Sequence, residues 1–167
     1  RRCAATRMEN TGEYLRYLSA DVAEAKEFQR SLNVTHSEFF RNPLSSALLE
    51  QVIVPHLLER RGSCGRQEIR IWSAGCAAGQ EAYSVALLLE DQASARASTV
   101  PRRIVATDIS ESCLDAARRG EYAVDSVRNV RLRHVRAWFT EKGETFTIAE
   151  RLRAAVSFSH YDLLDDR

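Results

Sequence analysis

Ile69-Arg70-Ile71-Trp72-Ser73-Ala74-Gly75-Cys76-Ala77-Ala78-Gly79-Gln80-Glu81-Ala82-Tyr83-Ser84-Val85 is the stretch whose reading decides the fold. An apolar run, Ile69 to Ala74, leads into two glycines separated by three residues. From Gln80 onward Ala82, Val85, Ala86 and Leu89 recur at helical spacing. The order is strand, tight glycine loop, helix start. Glycine accepts positive φ and carries no side chain, so a ligand can come close to the backbone. The first helical turn presents free N–H groups to polar ligand atoms. Taken alone, such a turn fits a nucleotide-type site and a packing turn equally well.

The next signal lies downstream. Arg103 to Thr107 has the pattern of a second strand and ends on Asp108. An acidic residue at the end of the second strand of an α/β unit can accept both hydroxyls of a ribose. The gap from the loop exceeds the roughly 20 residues of the NAD fingerprint, whose third glycine is also missing. Both facts point away from a dinucleotide and toward a ligand with one ribose and no pyrophosphate.

Composition narrows the class. The 167 residues suffice for one domain with a real core and a small second lobe. The formal net charge of +1 calls for no nucleic-acid or membrane partner. Cys3, Cys64, Cys76 and Cys113 show no Cys-x-x-Cys spacing, and His36, His56, His134 and His160 lack ligand spacing, so neither a disulfide nor a metal site is expected. A reducing cytoplasm suits that cysteine usage. No stretch approaches the ~20 apolar residues of a membrane span. Ser73 and Ser84 are not in a Gly-x-Ser-x-Gly elbow, and no Gly-Lys-Ser/Thr phosphate loop occurs.

The remaining segments organise around that unit. Residues 1–32 have helical patterning, with Ser19 or Asp21 as cap for Val22, Ala25, Phe28 and Leu32. Residues 33–61 are expected to be a linker and a helix. Asn42 is its N-cap, Pro43 opens it, and Pro55 is expected to kink or end it. Arg60 to Glu68 is expected to be a polar loop. Residues 62–167 then carry the α/β part. Ser110 caps a helix that closes on Gly120, with Arg118 and Arg119 in its last turn. Asp125 to Phe139 has the spacing of one amphipathic helix, its arginines either a solvated face or a docking surface for an acidic partner. A small antiparallel insert is expected near 137–150, turning at Glu141-Lys142-Gly143-Glu144. Val156 to Ser159 is the third core strand.

Four blocks of this chain resemble the chemotaxis receptor methyltransferases, the CheR family, in that family's order. They are Ser37-Glu38-Phe39-Phe40-Arg41-Asn42-Pro43, the stretch Trp72 to Ser84, Ala106-Thr107-Asp108-Ile109-Ser110 with Leu114, Ala117, Arg118, Gly120 and Tyr122, and Val156 to Phe158 with Asp162-Leu163-Leu164. The resemblance implies a class I, Rossmann-like S-adenosylmethionine methyltransferase sheet preceded by a small helical lobe. It implies S-adenosyl-L-methionine as cofactor and S-adenosyl-L-homocysteine as product. It further implies methylation of glutamate carboxylates on the cytoplasmic helices of chemoreceptors, with no membrane insertion. By the same resemblance Thr35, Ser37 and Arg41 face the methionine end of the cofactor and the reaction centre. A second register, Asn33 and Thr35, fits the segment too. Gly75 lies against the cofactor, Glu81 holds the methionine amino group, Asp108 the ribose, and Asp162 with Leu163 the adenine. Arg41 is the expected catalytic contact.

The family's later strand and motifs have no counterpart before Arg167. The sheet is therefore expected to be incomplete, and the chain a fragment, a truncated relative or one completed by a partner. Besides the methyltransferase, two alternatives stand at this stage: a non-catalytic cofactor- or receptor-binding relative, and an NAD-type oxidoreductase, which the loop and the spacing disfavour.

Overall fold

A computed structural model of the chain describes residues 2–8, 10–32, 37–63 and 68–165. The chain divides into two compact units, Arg1–Thr35 and His36–Arg167.

Among the described residues of the first unit there are three helices, α1 (Arg2–Ala5), α2 (Thr11–Ala20) and α3 (Val22–Leu32). Asn10 caps α2 by accepting from the Glu13 N–H. Asp21, not Ser19, caps α3: its carboxylate accepts from the N–H groups of Ala23 and Glu24 at 2.8 and 3.1 Å. Glu24 is buried, and it stays charged because Arg2 and the Tyr14 hydroxyl (2.7 Å) both donate to it.

The second unit opens with a long helix: α4 (Pro43–Leu48), a π-helical turn (Leu49–Ile53) and α5 (Val54–Ser63). Asn42 caps it and Pro43 stands in its first turn, as expected. Pro55 does not end it. Proline has no N–H for the carbonyl four residues back and its ring collides with that carbonyl. The wider π turn just ahead of Pro55 is where the helix absorbs this mismatch, and the helix then covers Arg60 to Ser63, which were expected to form a loop.

Three parallel strands form the main sheet: β1 (Ile69–Ala74), β2 (Arg102–Asp108) and, after several intervening elements, β6 (Val156–His160), in the order β1-β2-β6. Helix α6 (Gln80–Ala95) links β1 to β2, and α7 (Glu111–Arg119) follows β2. This is the mixed α/β, Rossmann-like architecture expected. Helix α6 continues through Asp91 to Ala95. Ser110 caps α7 and Gly120 closes it at φ 64°. The core gathers Ile69, Ile104, Ala106 and Val156 of the sheet with Ala82, Tyr83, Ala86, Leu87 and Leu89 of α6. Val54, Leu58 and Phe39 close its other side.

Between α7 and β6 lies a second sheet, ordered β3-β5-β4, of β3 (Glu121–Ala123), β4 (Phe139–Lys142) and β5 (Thr145–Ile148). The hairpin near 137–150 is present, with Lys142 paired to Thr145 around Gly143. Strand β3 was not foreseen, because three residues carry too little periodicity. The amphipathic helix expected over Asp125 to Phe139 is shorter: a 3-10 turn (Val124–Val127), a bend, then α8 (Leu132–Trp138). Val127, Asn129 and Val130 are weak helix formers. The two valines bury their side chains from the non-helical turn instead, at 5% and 7% exposure.

Candidate functional site

The three parallel strands put their carboxyl ends, Ala74, Asp108 and His160, on one edge of the sheet. Ligands bind at that edge in open α/β sheets. The glycine loop crosses it. Gly75 and Cys76 donate their N–H groups to the Thr107 carbonyl at 2.8 and 2.9 Å, and Tyr161 N–H donates to the Asp108 carbonyl at 3.1 Å. The loop is thereby bonded onto the end of β2.

The two glycines serve different ends. Gly79, at φ 87°, precedes α6, and a Cβ there would lie 2.9 Å from the Ala117 Cβ and 3.1 Å from the Phe158 ring. Only glycine lets the helix start come this close to α7 and β6. Gly75, at φ 71°, has nothing within 4 Å of where a Cβ would stand. The space above Gly75 is a cradle open to a ligand.

Asp108 is half-buried and binds the loop directly. Its Oδ2 accepts from the Ala77 N–H at 2.7 Å and its Oδ1 from the Ser110 N–H at 2.9 Å. Ala77 itself is held in the left-handed region at φ 46°. Each carboxylate oxygen can accept more than one hydrogen bond, so both keep acceptor capacity for a vicinal diol. Glu81, in the first turn of α6 where the helix dipole favours negative charge, is exposed. Its Oε1 accepts from the Ser73 hydroxyl at 2.7 Å.

Cys76 is buried. Burial, reinforced by the Asp108 charge, pushes its thiol up to about 12. Burial likewise raises the phenols of Tyr83 and Tyr122, which act as neutral donors to the carbonyls of Ala117 and Ala78, at 2.8 and 2.7 Å. Tyr122 thus ties β3 to the glycine loop.

The segment before α4 approaches α6 from another side. Phe39 is fully buried, edge-on to Tyr122 and Phe139 with centroids at 5.0 and 5.7 Å. Phe40 has φ 51° and donates its N–H to the Ser84 Oγ at 3.1 Å. Ser84 lies one turn beyond Glu81 on α6, so this strained turn delivers Arg41 to the helix that carries Glu81. Arg41 is exposed, makes no ion pair among the described residues, and lines a cleft with Phe40, Glu50, Leu88 and Arg131. Among the described residues no hydrogen bond or ion pair joins Arg41 or the half-buried Ser37 to Glu81 or Asp108. Asn33 and Thr35, the other residues of that segment singled out from the sequence, lie outside the described residues. Past β6, Asp162 is half-buried and its Oδ1 accepts from the Leu164 N–H at 2.9 Å, while Leu163 is exposed beside it. Tyr161 meets Trp72 edge-on at 6.1 Å on the same sheet edge.

The geometry therefore brings together Gly75, Glu81, Asp108, Asp162 and Leu163 at one edge. It adds Ser73, Ala77 and Tyr122 at that edge, and Ser84 where the Phe40 turn meets α6, all of which sequence reasoning missed. Ser73 and Ser84 stood in the quoted stretch, but nothing in spacing alone names their partners.

The family model described as CheR methyltransferase, SAM binding domain, matches residues 35–167. The chain belongs to the CheR methyltransferase family. A chemotaxis protein methyltransferase of Listeria innocua is 34% identical over 155 residues, covering 93% of this chain and 56% of the relative. One of Borreliella burgdorferi is 30% identical over 162 residues, covering 95% and 57%. An uncharacterized 104.1 kDa protein of Rhodobacter capsulatus is 33% identical over 168 residues, covering 99% of this chain and 17% of that protein. The chain thus spans about half the length of the chemotaxis methyltransferases it matches. The matched CheR domain is one that binds S-adenosylmethionine, and the residues fit that cofactor: an open cradle at Gly75, a carboxylate with spare acceptors for a ribose, and an exposed carboxylate for an ammonium group. No described helix is long and apolar enough to cross a membrane.

Proposed function

We propose that this chain forms the cofactor-binding part of a protein-glutamate O-methyltransferase of chemotaxis type, acting in the cytoplasm on carboxylates of chemoreceptor helices. The observation that carries the proposal is the pair of carboxylates on one sheet edge. Asp108 is bonded to the glycine loop, and Glu81 stands at the helix start that the loop feeds, held by Ser73. Two anionic acceptors flanking an open cradle suit a ligand with a ribose diol at one end and an ammonium at the other. A pyrophosphate would be repelled by them.

The cofactor supplies an electrophilic methyl group on a sulfonium. The acceptor, a glutamate carboxylate, is already ionised near neutral pH, so no strong general base is needed. The work left to this chain is positioning and exclusion of water. Asp108 holds the ribose, Glu81 the methionine ammonium, and Asp162 with Leu163 the adenine. Arg41, which makes no ion pair among the described residues and is mounted on a strained turn, is available to hold a carboxylate by paired hydrogen bonds, either the acceptor's or the methionine's. Ser37 is assigned to the methionine end by the family resemblance, as is Thr35, which lies outside the described residues.

The test is calorimetric titration of the 167-residue chain with S-adenosylhomocysteine and, separately, NAD. Saturable binding of the first and none of the second supports the reading. Equal binding of both, or of NAD alone, overturns it. Radiolabelled methyl transfer to a receptor cytoplasmic fragment, abolished by Glu→Gln changes in that fragment, tests the acceptor.

A further inference from the structure

We infer that Ser73 is a positioning residue for the cofactor's amino acid end, acting through Glu81. The inference rests on the reading of Glu81 as the ammonium contact and deepens it.

Ser73 is the fifth residue of β1, and it faces the same side of the strand as Ile69 and Ile71, toward the helix layer. It is 5% exposed, an unusual place for a hydroxyl on a strand otherwise lined there by isoleucine. Its hydrogen goes to Glu81 Oε1 at 2.7 Å. Glu81, by contrast, is an exposed side chain at a helix start, where a glutamate ordinarily samples several rotamers in water. Among the described residues its one bond is to this buried, rigid donor, which fixes the carboxylate at the edge of the cradle and leaves Oε2 to accept. Ser73 is also two residues before Gly75, so the strand end that presents the open glycine also presents the donor that aims the carboxylate. The arrangement pre-orders an anionic acceptor before the ligand arrives, which lowers the ordering cost of binding.

Packing alone does not call for a serine there, because alanine occupies the same place without a polar atom to satisfy. The role assigned to Ser73 therefore makes a prediction that a packing role does not. Its loss is felt by ligands with the ammonium group and not by ligands without it.

The test compares S-adenosylhomocysteine with 5′-methylthioadenosine, which keeps adenine, ribose and thioether but lacks the amino acid portion. Both are titrated into the wild-type chain, Ser73→Ala, Ser73→Thr, Glu81→Gln and the double variant Ser73→Ala/Glu81→Gln, with thermal melts confirming the fold. Ser73→Ala is expected to weaken S-adenosylhomocysteine about three- to tenfold, the worth of one ordering hydrogen bond. Methylthioadenosine affinity stays unchanged, Ser73→Thr restores the loss, and Ser73→Ala has no further effect once Glu81 is changed. If Ser73→Ala weakens both ligands alike, or neither while Glu81→Gln weakens S-adenosylhomocysteine, Ser73 does not act through Glu81 and the inference falls alone. If Glu81→Gln leaves S-adenosylhomocysteine binding intact, or the wild-type chain does not bind it, the reading of Glu81 falls and takes the inference with it.

Discussion

The carboxyl edge of the main sheet and the arginine-rich insert are built on opposite plans. At the sheet edge the contacts run mostly between backbone groups and small side chains. Gly75 and Cys76 bond to Thr107, Ala77 to Asp108, and Ser73 to Glu81. The insert is fastened by long charged side chains instead. Arg131 of the bend before α8 pairs with both oxygens of Glu50, Arg133 reaches Glu50 and Asp91, and Arg128 approaches Glu38. Buried His134 meets Asp91 at 2.5 Å, and Arg151, stacked 5.3 Å from the Trp138 ring centre, pairs with Glu90. Among the arginines that sequence reasoning treated as a solvated or partner-docking face, Arg128, Arg131 and Arg133 remain half exposed or more while each also reaches a carboxylate of this chain. The difference teaches that a site needing fixed geometry uses short, low-entropy contacts, whereas a peripheral module is attached by long ones, each worth little when exposed.

The sharpest break of that comparison is Asp108→Ala. It removes the proposed ribose acceptor and also frees the Ala77 and Ser110 N–H groups. S-Adenosylhomocysteine affinity should fall on the order of 100-fold, since hydrogen bonds to a charged group are worth about 1.5–3 kcal/mol each. The melting temperature should fall as well, which calorimetry beside a thermal melt separates. A large loss of affinity with an unchanged melt would show that the loop does not depend on Asp108.

Next in size is Gly79→Ala. The added Cβ meets Ala117 and the Phe158 ring, and the residue must keep φ 87°. Overpacking together with the left-handed penalty should cost about 2–4 kcal/mol in denaturant unfolding. Gly75→Ala meets no atom and keeps only the conformational penalty of about 1–2 kcal/mol. Its methyl group enters the cradle, so affinity should suffer more than stability. If the two alanines behaved alike, the division between a packing glycine and a ligand glycine would be wrong.

Glu50→Gln probes the other plan. Glu50 is 9% exposed and its paired oxygens face Arg131, which holds the carboxyl below its ordinary value of 4.5. The change should cost about 1–2 kcal/mol, less than for a fully buried pair because Arg131 is half-exposed and recovers water. A carboxyl lowered in the folded state contributes stability that is complete above the unfolded value and fades as pH falls through the folded one. The wild-type advantage should therefore hold at neutral pH and shrink as pH drops below 4.5, in denaturant melts across pH. Cofactor affinity should not change. A loss of affinity would mean that the clamp reaches the sheet edge, for which the Tyr122 bond to Ala78 is the available route.

The same contrast explains what could be read from the chain alone. The strand at Ile69, the loop, the start at Gln80, Asp108 and the Ser110 to Gly120 helix are all encoded by neighbours within a few residues. Periodicity, caps and glycines report them directly. Arg131 and Glu50 are 81 residues apart and meet only because the π turn before Pro55 and the bend before α8 bring them together. No local pattern carries that information. Strand β3 fails for a related reason, since its pairing with β5 bridges an intervening 3-10 turn, α8 and β4. At the site itself the charged residues stood out, while the donor on Ser73 and the tether on Ser84 became visible only once strand and helix were packed.

The smallest effect, and the finest test of the short-contact plan, is Ala77→Gly. Ala77 sits at φ 46°, a conformation costing alanine about 1–2 kcal/mol that glycine does not incur. Glycine also has more freedom to lose on folding, about 0.4–1 kcal/mol, and forgoes burial of a methyl that is 7% exposed. The terms nearly cancel, so stability should shift by less than about 1 kcal/mol in either direction. The informative readout is the double variant with Asp108→Ala. If the Asp108 carboxylate is what holds Ala77 in the left-handed region, releasing that bond lets alanine relax out of it and glycine stay. The affinity lost in Asp108→Ala should then be partly regained when Ala77 becomes glycine. No regain would assign the loop's shape to the Thr107 carbonyl alone, and would leave Asp108 to the ligand.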